Sequence, residues 1–332
     1  MDIISILRNK ISLLDSGEHS AGLKATLSHI ETAFRHLMRG QKEADQTAFT
    51  DAVYRTNQAF EGAIKEAYRV LTKKKPDNIR PHDIELHFSK SGTFRRRVLD
   101  QFTNYRKEWR NPSTHDYKLD FNDSEAFLAI VSVTAFSCLL LDEIAQRLAH
   151  DKEVSAIHNI AESIRRETET ANSDLLTNIA ETLKVYFLRH TNGKIEKGTA
   201  AQWLGSVNGF LTEIIPDATI TAGAPLGTDK LHVTADLLVE RGSERVVVEI
   251  KNRINILTYQ NIIDQMEHLM LTSGIHDGVI FFMPTILYAG TIYETEKNLI
   301  NGNGRLRIIS PIAISHSGQA HSQSPRSPKA GR

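Results

Sequence analysis

The chain has 332 residues, 40% of them hydrophobic, and 40 Lys and Arg against 40 Asp and Glu, so its formal charge is zero. That length can supply two separate cores, and the balanced charge excludes a protein that is basic throughout, although local asymmetry can still serve a polyanion. The single cysteine, Cys138, excludes a disulfide framework and a Cys-based zinc site.

The N-terminal MDIISILRNKISLL reads as an amphipathic helix and not as a leader peptide. Residues 43–72 place Phe49, Val53, Phe60, Ile64, Tyr68 and Leu71 at helical spacing, which predicts one long buried helix. A second seam, Phe94, Val98, Phe102, Tyr105 and Trp109, predicts another. Between Arg69 and Arg110 there are twelve Lys or Arg against five Asp or Glu, a local positive excess in a neutral chain.

This basic helix runs into RNPSTH at 110–115. Pro112 has no N–H and disfavours helical dihedrals at Asn111, so the helix is expected to end close to Arg110, with Arg110, Asn111 and His115 near one locus. An Arg and a His at this spacing arise by chance about once in such a chain, so the helical context carries the inference. The residue types suit cleavage of RNA by internal attack. A histidine can exchange a proton with the ribose 2′-hydroxyl or the leaving oxygen, a guanidinium can hold the phosphate, and no metal is required.

Asp123 or Ser124, followed by Glu125 and a long apolar stretch, predicts the start of another core helix. The run 126–141 carries Ser132, Thr134 and Ser137 and is short for a membrane span, so a soluble, cytoplasmic protein with no membrane association is expected. Residues 1–150 thus read as an all-α bundle and 151–172 as a helical connector.

From 173 the pattern turns to α/β. A helix at 199–214 precedes the strand candidates ATITAGA, LHVTADLLVE and RVVVEIKN, the last two joined by an Arg-Gly-Ser turn. Then follow a helix ended by Gly274, the apolar strand HDGVIFFMP, a further helix and the strand LRIISP. The segment 173–315 is therefore expected to be an α/β domain with a mixed sheet, and the apolar-poor tail 316–332 is expected to be disordered.

On these strands Glu249 and Lys251 share one face, and Asp236 can join them if the hairpin is in register. Charges among VVV and LL need pairing or a metal. A Mg²⁺ or Mn²⁺ ion held by Asp236, Glu249 and the carbonyl of Ile250 would satisfy them and could activate water beside a phosphate, with Lys251 orienting that water.

Two resemblances follow. Residues 20–150, with FEGAIKEAYRVL, RNPSTH and FNDSEAFLAIVSV, resemble the HEPN superfamily. That likeness implies a metal-independent ribonuclease site of Arg110, Asn111 and His115, with Glu61 as an added acidic residue, in a bundle that forms a homodimer. Residues 173–312 resemble the PD-(D/E)xK, or restriction-endonuclease-like, nucleases through Asp236, Glu249 and Lys251, with Ala235 where a proline often precedes the Asp. This likeness implies a metal-dependent nuclease acting on DNA, with Glu213 from the first helix and Gln265, or alternatively Gln260, from the helix after Glu249. Together they imply a prokaryotic anti-phage defence nuclease with a possible partner protein encoded nearby. The alternatives are a restriction-type DNA endonuclease whose helical bundle only dimerises, and a non-catalytic nucleic-acid-binding or toxin-neutralising partner.

Overall fold

The computed structural model describes residues 2–91, 94, 96–115, 118–168, 173–191, 198–226, 233–251, 256–283, 292–299 and 304–311; the tail 316–332, expected to be disordered, lies outside them. Most of the chain is helical, with an N-terminal helical region and a C-terminal mixed sheet. Its contacts divide it into two compact units, Met1–Ala149 and His150–Arg332.

The first unit contains α1 (Ile3–Ser12), α2 (His19–Glu43), α3 (Thr47–Thr72), α4 (Pro81–Ser91), α5 (Arg96–Tyr105), a π-helical turn (Arg106–Arg110), α6 (Asn111–His115) and most of α7 (Asp123–Ile157). The helix expected over 43–72 starts at Thr47. Ala44 takes the left-handed conformation (φ 55°), and Asp45 accepts hydrogen bonds from the N–H and Oγ1 of Thr47 at 3.1 and 2.6 Å. At the centre of the bundle Phe60 is fully buried, its ring 4.7 Å from Tyr105, 5.2 Å from Phe102 and 5.6 Å from Phe136. Burying one such side chain contributes roughly 1.5–3 kcal/mol.

The N-terminus of α7 is closed reciprocally. Asn122 N–H donates to Glu125 Oε2 at 2.9 Å, and Glu125 N–H donates to Asn122 Oδ1 at 3.0 Å. The run Asp123–Thr168 contains an 18-residue window of mean hydropathy 1.9, long and apolar enough to cross a membrane. Half of that window is buried inside the protein, a property that core helices share.

The second unit adds a 3₁₀ turn (His158–Ile160), α8 (Ala161–Thr168), α9 (Leu175–Thr191), α10 (Ala200–Ile214) and α11 (Ile256–Ser273) around strands β1 (Thr219–Ala222), β2 (Pro225–Leu226), β3 (Val233–Thr234), β4 (Leu237–Arg241), β5 (Glu244–Lys251), β6 (Asp277–Phe282), β7 (Tyr293–Asn298) and β8 (Arg305–Ser310). The segment read as a connector contributes Ile157, Ala161 and Ile164 to this unit's core.

The main sheet has the order β1-β4-β5-β6-β8-β7, and β2 and β3 form a separate ribbon. β1, β4 and β5 make an antiparallel meander, α11 crosses over, and β6 and β8 then add parallel to β5. Alternation along the strands sends Leu237, Val239, Val246 and Val248 into the core under α8, α9 and α10, and Leu238, Val247, Ile280 and Phe282 into the core under α11. Two-sided coverage explains the unbroken apolar run of β6.

One element departs from expectation. A helix was expected between the last two apolar strands; of that interval 284–291 and 300–303 lie outside the described residues, and 293–298 form β7, an edge strand antiparallel to β8. The alternating charges of YETEKN suit an edge with one wetted face better than they suit a core.

Candidate functional site

Two constellations deserve description, each within one unit. In the first, the helix does not stop at Asn-Pro. Asn111 is helical (φ −70°, ψ −49°), and its N–H donates back to the carbonyl of Arg106, five residues earlier. The proline is absorbed by this wider turn. A π-helical insertion accommodates a residue that cannot donate, and α6 carries the chain on to His115.

The π turn leaves Arg110 facing α3. Its Nε and Nη2 donate to Glu61 Oε1 at 3.2 and 3.1 Å, and Nη1 donates to Asn111 Oδ1 at 3.2 Å. Arg110, Asn111 and Glu61 therefore share one locus. The side chain of His115 lies outside the described residues, while its backbone closes α6.

A buried polar chain beneath this locus holds the turn against α3. Tyr105 OH donates to Thr56 Oγ1 at 2.6 Å and to Asn57 Oδ1 at 3.2 Å, Asn57 Nδ2 donates to Ser113 Oγ at 2.6 Å, and Ser113 Oγ donates to the carbonyl of Arg110 at 3.1 Å. Burial drives the Tyr105 phenol well above its usual range, against the opposing effect of its bond to Thr56, so it remains a proton donor. Sequence reading missed Asn57 and Ser113. The available signal was an Asn four residues before Glu61 in an otherwise apolar seam, a spacing that puts both on one helix face.

In the second constellation the hairpin is in register. Leu237 pairs with Val248, which sets Asp236, just before β4, opposite Glu249 on β5. The strand breaks at Asp236 because the ladder there runs to another partner: its carbonyl accepts from Gly223 N–H at 2.9 Å, and the N–H of Ala235 donates to Ala224 at 3.0 Å. Gly223 supplies the positive φ (60°) this bend uses.

The charged groups then lock together. Asp236 N–H donates to Glu249 Oε1 at 3.1 Å, Ile250 N–H donates to Asp236 Oδ2 at 2.9 Å, and Lys251 Nζ donates to Glu249 Oε2 at 2.6 Å while standing 4.0 Å from Asp236 Oδ2. Burial first, and the charge of Asp236 second, push the Glu249 carboxyl above its ordinary value, against Lys251 and the Asp236 N–H.

No family model, curated protein or solved structure matches this chain.

The remaining expected participants are on α10 and α11. Glu213 on α10 accepts from His158 Nδ1 at 3.0 Å and lies 4.0 Å from an Arg165 nitrogen, while its own carbonyl takes two Arg165 bonds at 3.2 and 2.6 Å. Among the described residues no group of three or more His, Cys, Asp or Glu is placed to hold a metal ion. Gln265 is exposed, because α11 turns Ile263, Met266 and Met270 toward the sheet and leaves position 265 to solvent. Gln260, the alternative, is also exposed and donates to Asp264 at 2.7 Å.

Proposed function

We propose that the protein is a nuclease: a PD-(D/E)xK-type, divalent-metal-dependent endonuclease in its C-terminal unit joined to a HEPN-type ribonuclease in its helical unit. The observation that carries this reading is the convergence of Asp236, Glu249 and Lys251 on adjoining strands, with the half-buried Glu249 carboxyl raised above its ordinary value by burial first and by the charge of Asp236 second. The order of helix, meander, crossover helix and parallel strand supports it.

The donor set suits Mg²⁺ or Mn²⁺. Two carboxylates and one carbonyl with water completing the shell are within the habit of Mg²⁺, and a cation would offset both the burial and the Asp236 charge that raise Glu249. Such an ion supplies an activated water and neutralises charge developing on a phosphate. Asp236 and Glu249 would hold it with the Ile250 carbonyl. Lys251, whose ammonium reaches both carboxylates, orients the water and stabilises the phosphate oxygens.

In the helical unit Arg110 is held ready by Glu61 to fork a phosphate, and Asn111 orients one of its oxygens. His115 takes the proton of the ribose 2′-hydroxyl as that oxygen attacks phosphorus, and a proton passes to the departing 5′-oxygen, leaving a cyclic phosphate. The two activities fit a cytoplasmic, prokaryotic anti-phage effector that dimerises through its helical unit, takes RNA at one site and DNA at the other, and answers to a partner protein.

One observation favours a second reading. The Arg110 guanidinium is engaged on three nitrogens by Glu61 and Asn111, as it would be in a bundle that only dimerises beside a DNA endonuclease. Cleavage assays of His115→Ala and Lys251→Ala on RNA and DNA, with Mg²⁺ or EDTA, separate the readings. EDTA-resistant RNA cleavage lost in His115→Ala supports the first; its retention in that variant removes the ribonuclease site. DNA cleavage that needs Mg²⁺ and Lys251 supports the endonuclease. Absence of cleavage under every condition leaves a non-catalytic binding or toxin-neutralising role.

A further inference from the structure

One ridge of α3 consists of Thr50, Tyr54, Asn57 and Glu61, spaced four, three and four residues apart so that all lie on one face. Three of the four are taken up by the segment that carries RNPSTH. Thr50 Oγ1 accepts from Phe121 N–H at 3.3 Å and donates to Asp120 at 3.4 Å, Asn57 donates to Ser113 at 2.6 Å, and Glu61 accepts from Arg110 at 3.1 Å. Tyr54 stands between these anchor points and is 47% exposed.

Its surroundings are polar. Gln58, one turn on, is exposed, and Lys65 continues the same strip beyond Glu61. An open aromatic ring whose helical neighbours are Thr50, Asp51, Asn57 and Gln58 offers little apolar area to a second copy of the chain, whose interface core would be richer in apolar residues. The same arrangement suits a nucleobase, whose face stacks on the ring while its phosphates meet the cations. With a rise of 1.5 Å per residue, the seven residues from Tyr54 to Glu61 span about 10 Å, near enough for one strand to meet both the ring and Arg110.

We infer that Tyr54 is a stacking platform for an unpaired base of a single-stranded RNA whose backbone lies at Arg110. The inference rests on the ribonuclease reading for the choice of RNA, and it adds a positioning residue that selects single strands. A duplex keeps its bases stacked on one another and presents none to the ring.

The test is binding by the full chain of a fluorescent single-stranded RNA with methylated 2′-oxygens, in EDTA, which blocks internal attack at one site and metal-dependent cleavage at the other. Tyr54→Ala should weaken binding roughly 5- to 150-fold, while Tyr54→Phe and Tyr54→Trp retain it. An abasic nucleotide moved along the strand should weaken wild-type binding at one position and abolish the difference from Tyr54→Ala there. Wild-type affinity in Tyr54→Ala, equal losses in Ala and Phe, absence of single-strand binding by the wild type, or a change of oligomeric state without a change in affinity would each overturn the inference. Melting curves on each variant guard against misfolding. Cleavage of unmethylated RNA by wild type and His115→Ala, run in parallel, reports on the ribonuclease reading separately: Tyr54-dependent binding without cleavage sinks that reading alone, and cleavage without Tyr54 dependence sinks the platform alone.

Discussion

Asn57 and Glu249 show how much single polar residues carry in this chain. Asn57 is 6% exposed and links Tyr105 to Ser113, so Asn57→Ala leaves buried partners without their bonds and should cost about 1–3 kcal/mol, read as a lower urea midpoint. The same variant should loosen the π turn and reduce any activity that depends on Arg110. For Glu249 the sign runs the other way from most carboxylates. Its folded carboxyl keeps a proton above the ordinary value of 4.5, so the folded state binds more protons there than the unfolded chain. Stability from this group is therefore fullest at low pH and falls as pH rises from that ordinary value through the raised one. Glu249→Gln should remove that slope in melts across pH, and added Mg²⁺ should stabilise the wild type more as pH rises while leaving Glu249→Gln little changed. A slope that survives in Glu249→Gln would show that another group causes it.

Among the elements, the hairpin of β4 and β5 is the one on which the second site depends. Its two-residue turn uses Gly242 at φ +59°, and a Cβ there would meet no atom within 4 Å, so the backbone and not space is the constraint. Gly242→Ala should cost about 1–2 kcal/mol and, if the register slips, separate Asp236 from Glu249. The readout is a lower melting temperature together with loss of the Mg²⁺-dependent stabilisation described above. The hairpin was legible in the sequence because Arg-Gly-Ser between two alternating apolar runs has one inexpensive backbone solution. The π turn was not. Pro112 signals a break in a regular helix, and only the packing of Tyr105, Ser113 and Arg110 against α3 makes a widened turn the better outcome. The rotation of α11 was not legible either: Ile263, Met266 and Met270 set it and leave Gln265 exposed, and the motif spacing does not contain that rotation.

Across the second unit as a whole, Arg305 on β8 ties distant parts of the chain together. It donates to Asp277 on β6 at 3.0 and 2.6 Å and to Asp174, just before α9, at 2.5 Å. Burial would raise the Asp174 carboxyl, but hydrogen bonds from Thr177 and Arg305 prevail and bring it down to about 2 from 3.8. Its stabilisation is complete above the unfolded value and is lost as pH falls from about 3.8 toward 2. Asp174→Asn should flatten the acid limb of the stability profile over that interval, and an unchanged limb would assign acid unfolding to other carboxylates. Composition and periodicity by themselves determined the neutral balance, the helical seams of the first half, the meander after residue 218 and the pairing of Asp236 with Glu249 and Lys251, because each follows from local spacing or from charge set in an apolar run. Tertiary structure alone decided that the helix passes through Pro112, that Asn57 ties the Arg110 turn to α3, and that residues 293–298 form an edge strand. Those outcomes depend on which face a neighbouring element covers, and a single strand or helix does not encode that rotation in its own spacing.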